Sequence, residues 1–473
     1  MEDEFEFNEL EGLIPDNENL KNSGNLNFDK FINSLRNNSL GIEYDTLEEL
    51  INLFLDEEQF DKALQLADFV LERYPYSPEI YHLKAIALDG LERNEEALEY
   101  FDKAILYNPT DPDIFINKGI TLDSLSRFKE AIECFEYAKK LDEENIDAVF
   151  NMGFTYERMK DYQKAVQCFQ KVLKSGEGIS DCHYELGYCH DALENYQESV
   201  NHYKNYLEIN PDNFVAWFNL GTVYTKQGKV LKSIECYEMS LLLKNDFTSA
   251  WYNCGNSYAE LGRLDKAIFC YKTYLEHKNN DPLALHNLGN TYYEKGDFDN
   301  AIKFLDKAIS IDHDKWDSFY VRGNAYYGKN DFTKALEDFK SAVILCPDFS
   351  ELWYSKADAE RILGKFGDAK SSYERAITLN PIDDKSYVDL CDMLIGLKDF
   401  LYAERIANDF IKAMPECAEV YYEKAKYYMV VDDFKKAESM INIAFSLSPE
   451  DRFEYDINKD WPKLVRFLVS KTS

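Results

Sequence analysis

Two groups of side chains in this sequence could do chemistry. The first is a cysteine–histidine cluster, DCHYELGYCH, which sets Cys182, His183, Cys189 and His190 within one short run. Metal binding is the chemistry such residues suggest. On a helix, ligands of one ion sit three or four residues apart. Here like residues pair at seven, two turns or roughly 10 Å apart, too far to share one zinc ion. Packing inside a helical pair is the reading for both histidines. The second group is a set of amides. Asn219, Asn253, Asn256, Asn287, Asn290 and Asn324 recur at fixed intervals, with Phe218, Tyr252 and Tyr320 beside them. A side-chain amide offers one acceptor and two donors, so a row of them can pair with successive backbone groups of an extended peptide. The neighbouring rings add apolar and stacking contacts. This is the chemistry of holding a chain, not of turning one over.

Signatures of catalysis do not appear. SGEGIS, residues 175–180, lacks the spacing and flanking strand of a phosphate-cradling loop, and no G-x-S-x-G elbow occurs. Cys134, Cys168, Cys236 and Cys270 share one recurring position with His202. Equivalent atoms in stacked units are a helix-packing distance apart, beyond disulfide or shared-metal reach. His82 and His286 fall on the amide-bearing face, where contact with ligand or water is the simple role. No enzyme activity, cofactor or metal is expected.

The formal net charge is −34. A surface that neutralised nucleic-acid phosphates would need clustered Lys and Arg, so nucleic acid is excluded as a partner. Anionic membrane surfaces are disfavoured on the same ground, and no apolar run reaches the length of a membrane span. The opening MEDEFEFNEL has no basic region before an apolar core, so it does not read as a secretory signal. The ten cysteines form no disulfide framework, which fits free thiols and a cytoplasmic location.

The elements that must position the amides follow from a repeat. Stepping by 34 from Gly221 gives Ile51, Ala85, Gly119, Gly153, Gly187, Gly255, Gly289, Gly323, Ala357, Cys391 and Ala425. Stepping from Ser233 gives Ala or Ser every time, from Ala63 to Ala437. Trp217, Leu220 and Tyr224 lie on one helix face, as do Ile234, Tyr237 and Leu241, with Gly228 between. Each unit is therefore two antiparallel helices. Their small residues mark the points of close approach. Ser77-Pro78, Asp111-Pro112 and Asp281-Pro282 supply a capping side chain followed by proline at the first helical position. One hairpin cannot bury its outer face, so units must stack.

Trp217, Leu220, Gly221 and Tyr224, with Ala335, Phe339 and Pro347, resemble the W-x2-L-G-x2-Y, A-x3-F and closing-Pro pattern of the tetratricopeptide-repeat (TPR) family. The resemblance implies an all-α fold, a right-handed superhelical solenoid of about twelve 34-residue helix–turn–helix repeats. They run 44–77, 78–111 and onward in steps of 34 to 418–451. Residues 1–43 form an acidic, partly disordered extension in which 27–40 can add a helix, and 452–473 a partial repeat and capping helix. KSGEGIS, 174–180, reads as an irregular joint. The resemblance also implies a concave wall built by the first helices. Asp113, Asp123, Asp147, Glu157, Asp181 and Glu185 make its N-terminal part acidic, with Arg158 the lone opposing charge there, while amides and rings dominate farther on. The expected function is a non-catalytic scaffold that binds an extended, basic-to-apolar segment of another protein. The alternative is a regulatory or substrate-targeting subunit of an enzyme complex, and self-association through the ends is left open. The carboxylate-clamp variant of the family is not met, because Tyr252, Asp317 and Val321 stand where its basic residues belong.

Overall fold

The computed structural model describes residues 26–36, 43–176 and 178–448. The acidic segment 1–24, Glu177 and the C-terminal capping helix expected after Pro462 lie outside them. Two compact units divide the chain, Met1–Lys229 and Val230–Ser473. In unit 1 the order is α1 (Leu26–Arg36), α2 (Tyr44–Asp56), α3 (Phe60–Arg73), α4 (Pro78–Gly90), α5 (Asn94–Tyr107) and α6 (Pro112–Ser124). Then come α7 (Phe128–Leu141), α8 (Ile146–Arg158), α9 (Tyr162–Ser175), α10 (Ile179–Ala192), α11 (Tyr196–Ile209) and α12 (Phe214–Lys226). Unit 2 holds α13 (Val230–Leu243), α14 (Thr248–Glu260), α15 (Leu264–His277), α16 (Pro282–Glu294), α17 (Phe298–Ile311) and α18 (Trp316–Gly328). It continues with α19 (Phe332–Leu345), α20 (Ser350–Ile362), α21 (Phe366–Leu379), α22 (Asp384–Gly396), α23 (Phe400–Ala413), α24 (Ala418–Val430) and α25 (Phe434–Leu447). Among the described residues there is no strand.

From α2 onward the helices alternate as first and second members of hairpins. In most hairpins the small residue of the first helix meets a ring on the second, and at Gly289 it meets Leu305. A Cβ on Gly119 would land 2.5 Å from Phe135, and one on Gly187 would land 2.9 Å from Tyr203. Ser199 Oγ donates to the Gly187 carbonyl at 2.7 Å, closing the same contact with a hydrogen bond. Side-chain caps start several first helices: Ser77 accepts from Ile80 N, Asp111 from Asp113 N, and Asp281 from Leu283 N and Ala284 N. The joint at 174–180 runs through two left-handed glycines, Gly176 and Gly178, with φ of 88° and 53°. In α1, Phe28, Ile32 and Leu35 are buried in the cluster that includes Leu50, Phe54 and Phe69. Arg73 Nη2 donates to the Leu35 carbonyl at 2.6 Å, so α1 covers the face that the first hairpin would otherwise expose.

Every turn within a hairpin places one residue at positive φ. Four of these are Gly228, Gly262, Gly296 and Gly364, while Glu58, Glu92, Ser126, Lys160, Glu194, Asn330, Lys398 and Asp432 take the same conformation with a side chain. Left-handed backbone costs a non-glycine residue about 1 kcal/mol. Glu92→Gly, Ser126→Gly and Glu194→Gly are each expected to stabilise the chain by about 0.5–1 kcal/mol. Urea midpoints of the single variants and of the triple variant check this, with additive gains expected for turns so far apart.

Candidate peptide-binding wall

The amides lie on the first helices, and a simple rule decides which of them are free. Count each 34-residue period from its first-helix start, as from Pro78 or Thr248. In most periods the fifth residue, when it is an aromatic with a polar atom, hydrogen-bonds the sixth residue of the next period; His286 departs from this, since Val321 offers no polar side chain and the ring meets Ser318 instead. In unit 1, Asn117 Nδ2 donates to His82 Nε2 at 2.8 Å, and Asn219 Nδ2 to the Tyr184 hydroxyl at 3.1 Å. In unit 2, Asn287 Nδ2 donates to the Tyr252 hydroxyl at 3.1 Å, and the Tyr354 hydroxyl to Asp389 Oδ2 at 2.8 Å. These bonds fix one first helix on the next.

Where the fifth residue has no polar atom, the following sixth residue turns elsewhere. Ile116 precedes Asn151, whose amide folds back to the Asp147 carbonyl at 2.9 Å. Val388 precedes Glu423, which turns to Lys426 on its own helix at 2.5 Å. Phe218 holds the corresponding place before Asn253 in the sequence. Asn253 is half-buried and makes no hydrogen bond among the described residues. Other amides of the set are engaged. Asn256 Oδ1 accepts from Asn287 Nδ2 at 3.0 Å and from the Tyr271 hydroxyl at 2.7 Å. Asn290 donates to Glu294 at 3.0 Å, and Asn324 stands one turn from Tyr320, whose hydroxyl donates to Glu351 at 3.1 Å. Asn253 thus stands as an open amide between Tyr252 and Asn256.

The acids of unit 1 divide in the same way. Asp113, Asp147 and Asp181 are exposed, with no ion pair among the described residues. Asp123 is paired with Arg158, and Asp191 with Lys226 at 2.6 Å, so a second cation beside Arg158 serves this face. Glu157 on α8 and Glu185 on α10 hydrogen-bond each other, which requires a proton between them. Burial raises both carboxyls, and the charge of Glu157 helps push Glu185 up to about 8. The Cys189 thiol donates to Glu157 Oε2 at 3.9 Å from below.

The histidines behave as structure. His183 Nδ1 lies 2.9 Å from His202 Nδ1, and His190 stacks on His202 with centroids 5.5 Å apart. Sequence spacing within α10 could not show that His202 on α11 joins the other two. Burial and the other two rings lower His202 to about 4, so the cluster is neutral at ordinary pH. Among the described residues no three His, Cys, Asp or Glu side chains are arranged to hold a metal. His286, Ser318 and Asp317 have the composition of a hydrolase triad: His286 Nδ1 is 2.9 Å from Ser318 Oγ, and Nε2 is 4.0 Å from Asp317. Ser318 is only 1% exposed, so no substrate reaches its hydroxyl, and the contact serves to join α16 to α18.

The sequence reading missed a set of cations. Lys84, Lys118, Arg322, Lys356 and Lys424 occupy the place that Leu220 holds in its own repeat. Each finds a polar partner in a neighbouring helix. Lys84 reaches Asp68; Lys118 reaches Asp102 at 2.5 Å, and Lys424 reaches Asn408 at 2.6 Å. Lys356 donates to Ser372 Oγ at 2.7 Å, and Arg322 bridges Asp306 and Asp338. The signal that could have found them is the pairing of a base at that place with an acid, amide or hydroxyl sixteen residues away.

Comparison with known families agrees with this architecture. The profile for TPR repeats matches residues 192–228, 255–296 and 289–330, and tetratricopeptide-repeat profiles match 215–247 and 320–384. A profile for the N-terminal TPR region of Psidin matches 51–177. The chain belongs to the tetratricopeptide-repeat family. Its repeats make it a protein-interaction scaffold, and among the described residues no helix is long and apolar enough to cross a membrane. No curated protein matches it. Among solved structures, MamA is similar at 23% identity over 35% of this chain and 91% of its own, with a TM-score of 0.34. YrrB, described as a TPR protein with an unusual peptide-binding site, is similar at 15% identity over 39% of this chain and 95% of its own, with a TM-score of 0.36. The Naa15/Naa10 complex bound to HypK-THB is similar at 16% identity over 89% of this chain and 80% of its own, with a TM-score of 0.33.

Proposed function

We propose that this TPR chain holds an extended segment of another protein on the first-helix walls of its two units. The wall of unit 1 takes basic side chains through Asp113, Asp147, Asp181 and the Glu157–Glu185 pair. The wall of unit 2 takes peptide backbone and apolar side chains through Asn253, Tyr252 and Tyr320. Asn253 carries the reading. It is an amide on a polar, ring-flanked surface, and it lacks the internal bond that its equivalents Asn219 and Asn287 make.

The two kinds of amide respond differently to truncation. Asn253→Ala removes only bonds to a ligand, so it is expected to weaken peptide binding about tenfold with no change in melting temperature. Asn287→Ala strips a bond from the Tyr252 hydroxyl and from Asn256, so it is expected to destabilise the chain by about 1 kcal/mol. The test is a random-peptide selection on the full chain, followed by affinity and melting measurements on both variants. Enrichment of extended peptides with Lys or Arg in one part, and loss of affinity in Asn253→Ala, support the reading. Equal affinity for wild type and Asn253→Ala would overturn it.

A further inference from the structure

The surface formed by the second helices carries a feature that the wall does not use. In unit 1, Glu99, Asp102, Leu122, Glu133, Cys134 and Tyr137 line a groove of about 610 Å³ that runs between α5 and α7 over α6. Five periods further along the chain, the same places carry Phe269, Lys272, Tyr292, Lys303, Phe304 and Lys307. Asp102 and Glu133 of the first groove have become Lys272 and Lys303, Glu99 has become Phe269, Leu122 and Cys134 have become the rings Tyr292 and Phe304, and Tyr137 has given way to Lys307.

The geometry of this second patch is that of an open docking surface. Tyr292 of α16 and Phe304 of α17 stack with centroids 5.6 Å apart and planes at 2°. The ammonium of Lys272 sits 5.5 Å from the Tyr292 ring, and those of Lys303 and Lys307 sit 5.5 Å and 5.8 Å from Phe304. Phe269 shares a face of α15 with Lys272, one turn away, and is 60% exposed. The three lysines are exposed and form no ion pair among the described residues. The acids around them are committed elsewhere: Asp265 to Lys295, Asp299 to Lys329, and Asp306 to Arg322. Asp297, also near Lys272, caps α17 through Asn300, and Glu276 stands one turn from Lys272 on α15 without an ion pair to it among the described residues. In a chain of net charge −34, three lysines without ion pairs among the described residues, set around the exposed Phe269 ring and the half-buried edge of Phe304, form a local positive site, with the buried Tyr292 ring backing Phe304.

We infer that this patch docks the acidic, phenylalanine-bearing segment MEDEFEFNELEGLI, residues 1–14, of a second copy of the chain. That segment has six acids and no base, and it carries Phe5 and Phe7 between its acids. In an extended chain, residues two apart face the same side, so Phe5 and Phe7 reach the aromatic surface together with Asp3 and Glu9, whose carboxylates meet the lysines. The contact is head to tail, since the segment precedes unit 1 and the patch lies in unit 2.

The test uses the full chain with the photoreactive amino acid p-benzoylphenylalanine in place of Phe269. Irradiation is expected to give a covalent dimer whose crosslinked peptide maps to residues 1–14. Lys272→Glu/Lys303→Glu/Lys307→Glu in the same chain is expected to cut the dimer about tenfold with little change in melting temperature, because these exposed side chains form no ion pair among the described residues and only long cation–π contacts. Phe5→Ala/Phe7→Ala is expected to do the same from the other side of the contact. Absence of a dimer, a crosslink that maps to any other segment, or a yield indifferent to the charge reversal would each overturn the inference. None of these readouts involves Asn253, so the wall and the patch fail or stand separately.

Discussion

Arg322→Ala is expected to destabilise the chain by about 3–5 kcal/mol, the largest single effect the structure points to. The guanidinium lies between α17 and α19. It donates from Nε and Nη2 to both oxygens of Asp338 at 2.8 Å and 2.6 Å, and from Nη1 to Asp306 at 2.6 Å. Asp338 is buried, with its side chain 6% exposed. Removing the arginine leaves that carboxylate in a low-dielectric site with no counter-charge, and this accounts for most of the cost. The pair itself need not be strongly stabilising. Burial pushes the Asp338 carboxyl up even with the guanidinium in place. The attraction therefore does not fully offset the desolvation of the acid. Arg322→Leu/Asp338→Leu, which restores the apolar residue of Leu220 at the first site, is accordingly expected to lie within about 1 kcal/mol of wild type or above it. Hydrogen exchange of α18 and α19 in the full chain is the measurement, because a repeat array can open locally. The single variant's deficit should shrink in acid, where Asp338 is protonated and needs no partner. A deficit as large in the double variant as in the single one would show that shape, not charge, holds this contact.

The repeat was legible in the sequence because sterics leave little choice at a few places. Gly119 faces Phe135 so closely that even a methyl group would collide, and such constraints recur with the period. The hairpin turns were legible only where glycine marks them, at Gly228 for instance. Glu92 and Ser126 adopt the same left-handed backbone, because the helices on either side over-determine it. The wall was half legible. An asparagine shows in the sequence, but its availability depends on whether a hydroxyl or imidazole stands one period and one residue earlier. Tyr252 occupies Asn287, and Tyr184 occupies Asn219. That dependence is invisible until the stacking register is known, and simple to read afterwards. Arg322 was illegible for another reason: a cation on a packing position looks like a lapse of the pattern until its acids, sixteen residues away on both sides, are brought against it.

Binding of a lysine- or arginine-bearing peptide to unit 1 is expected to tighten as pH rises, by up to about tenfold per pH unit, and to level off above about pH 8. The cause is the Glu157–Glu185 pair. At neutral pH the two carboxyls share a proton, since burial and the neighbouring Glu157 charge hold Glu185 up at about 8. Asp181 adds to the same push, and the Cys189 thiol faces Glu157 from beneath. An ammonium or guanidinium that docks on the pair favours both carboxylates and releases the proton. Every unit of pH below the raised value therefore costs the ligand the work of removing it. Stability runs the other way. Glu185 titrates above its ordinary 4.5 in the folded chain, so its contribution is complete below about 4.5 and is lost as pH rises through about 8. The unliganded chain should weaken slightly on the alkaline side while its affinity for a basic peptide grows. These opposite slopes separate site titration from unfolding. Glu185→Gln keeps one hydrogen bond to Glu157 and cannot release a proton, so it is expected to flatten the binding profile and lower affinity at high pH. Calorimetric titration in two buffers of different ionisation enthalpy reads the released proton directly. A pH-independent affinity for wild type, or a profile unchanged in Glu185→Gln, would remove this pair from the binding surface and leave the exposed Asp113, Asp147 and Asp181 to attract the basic segment.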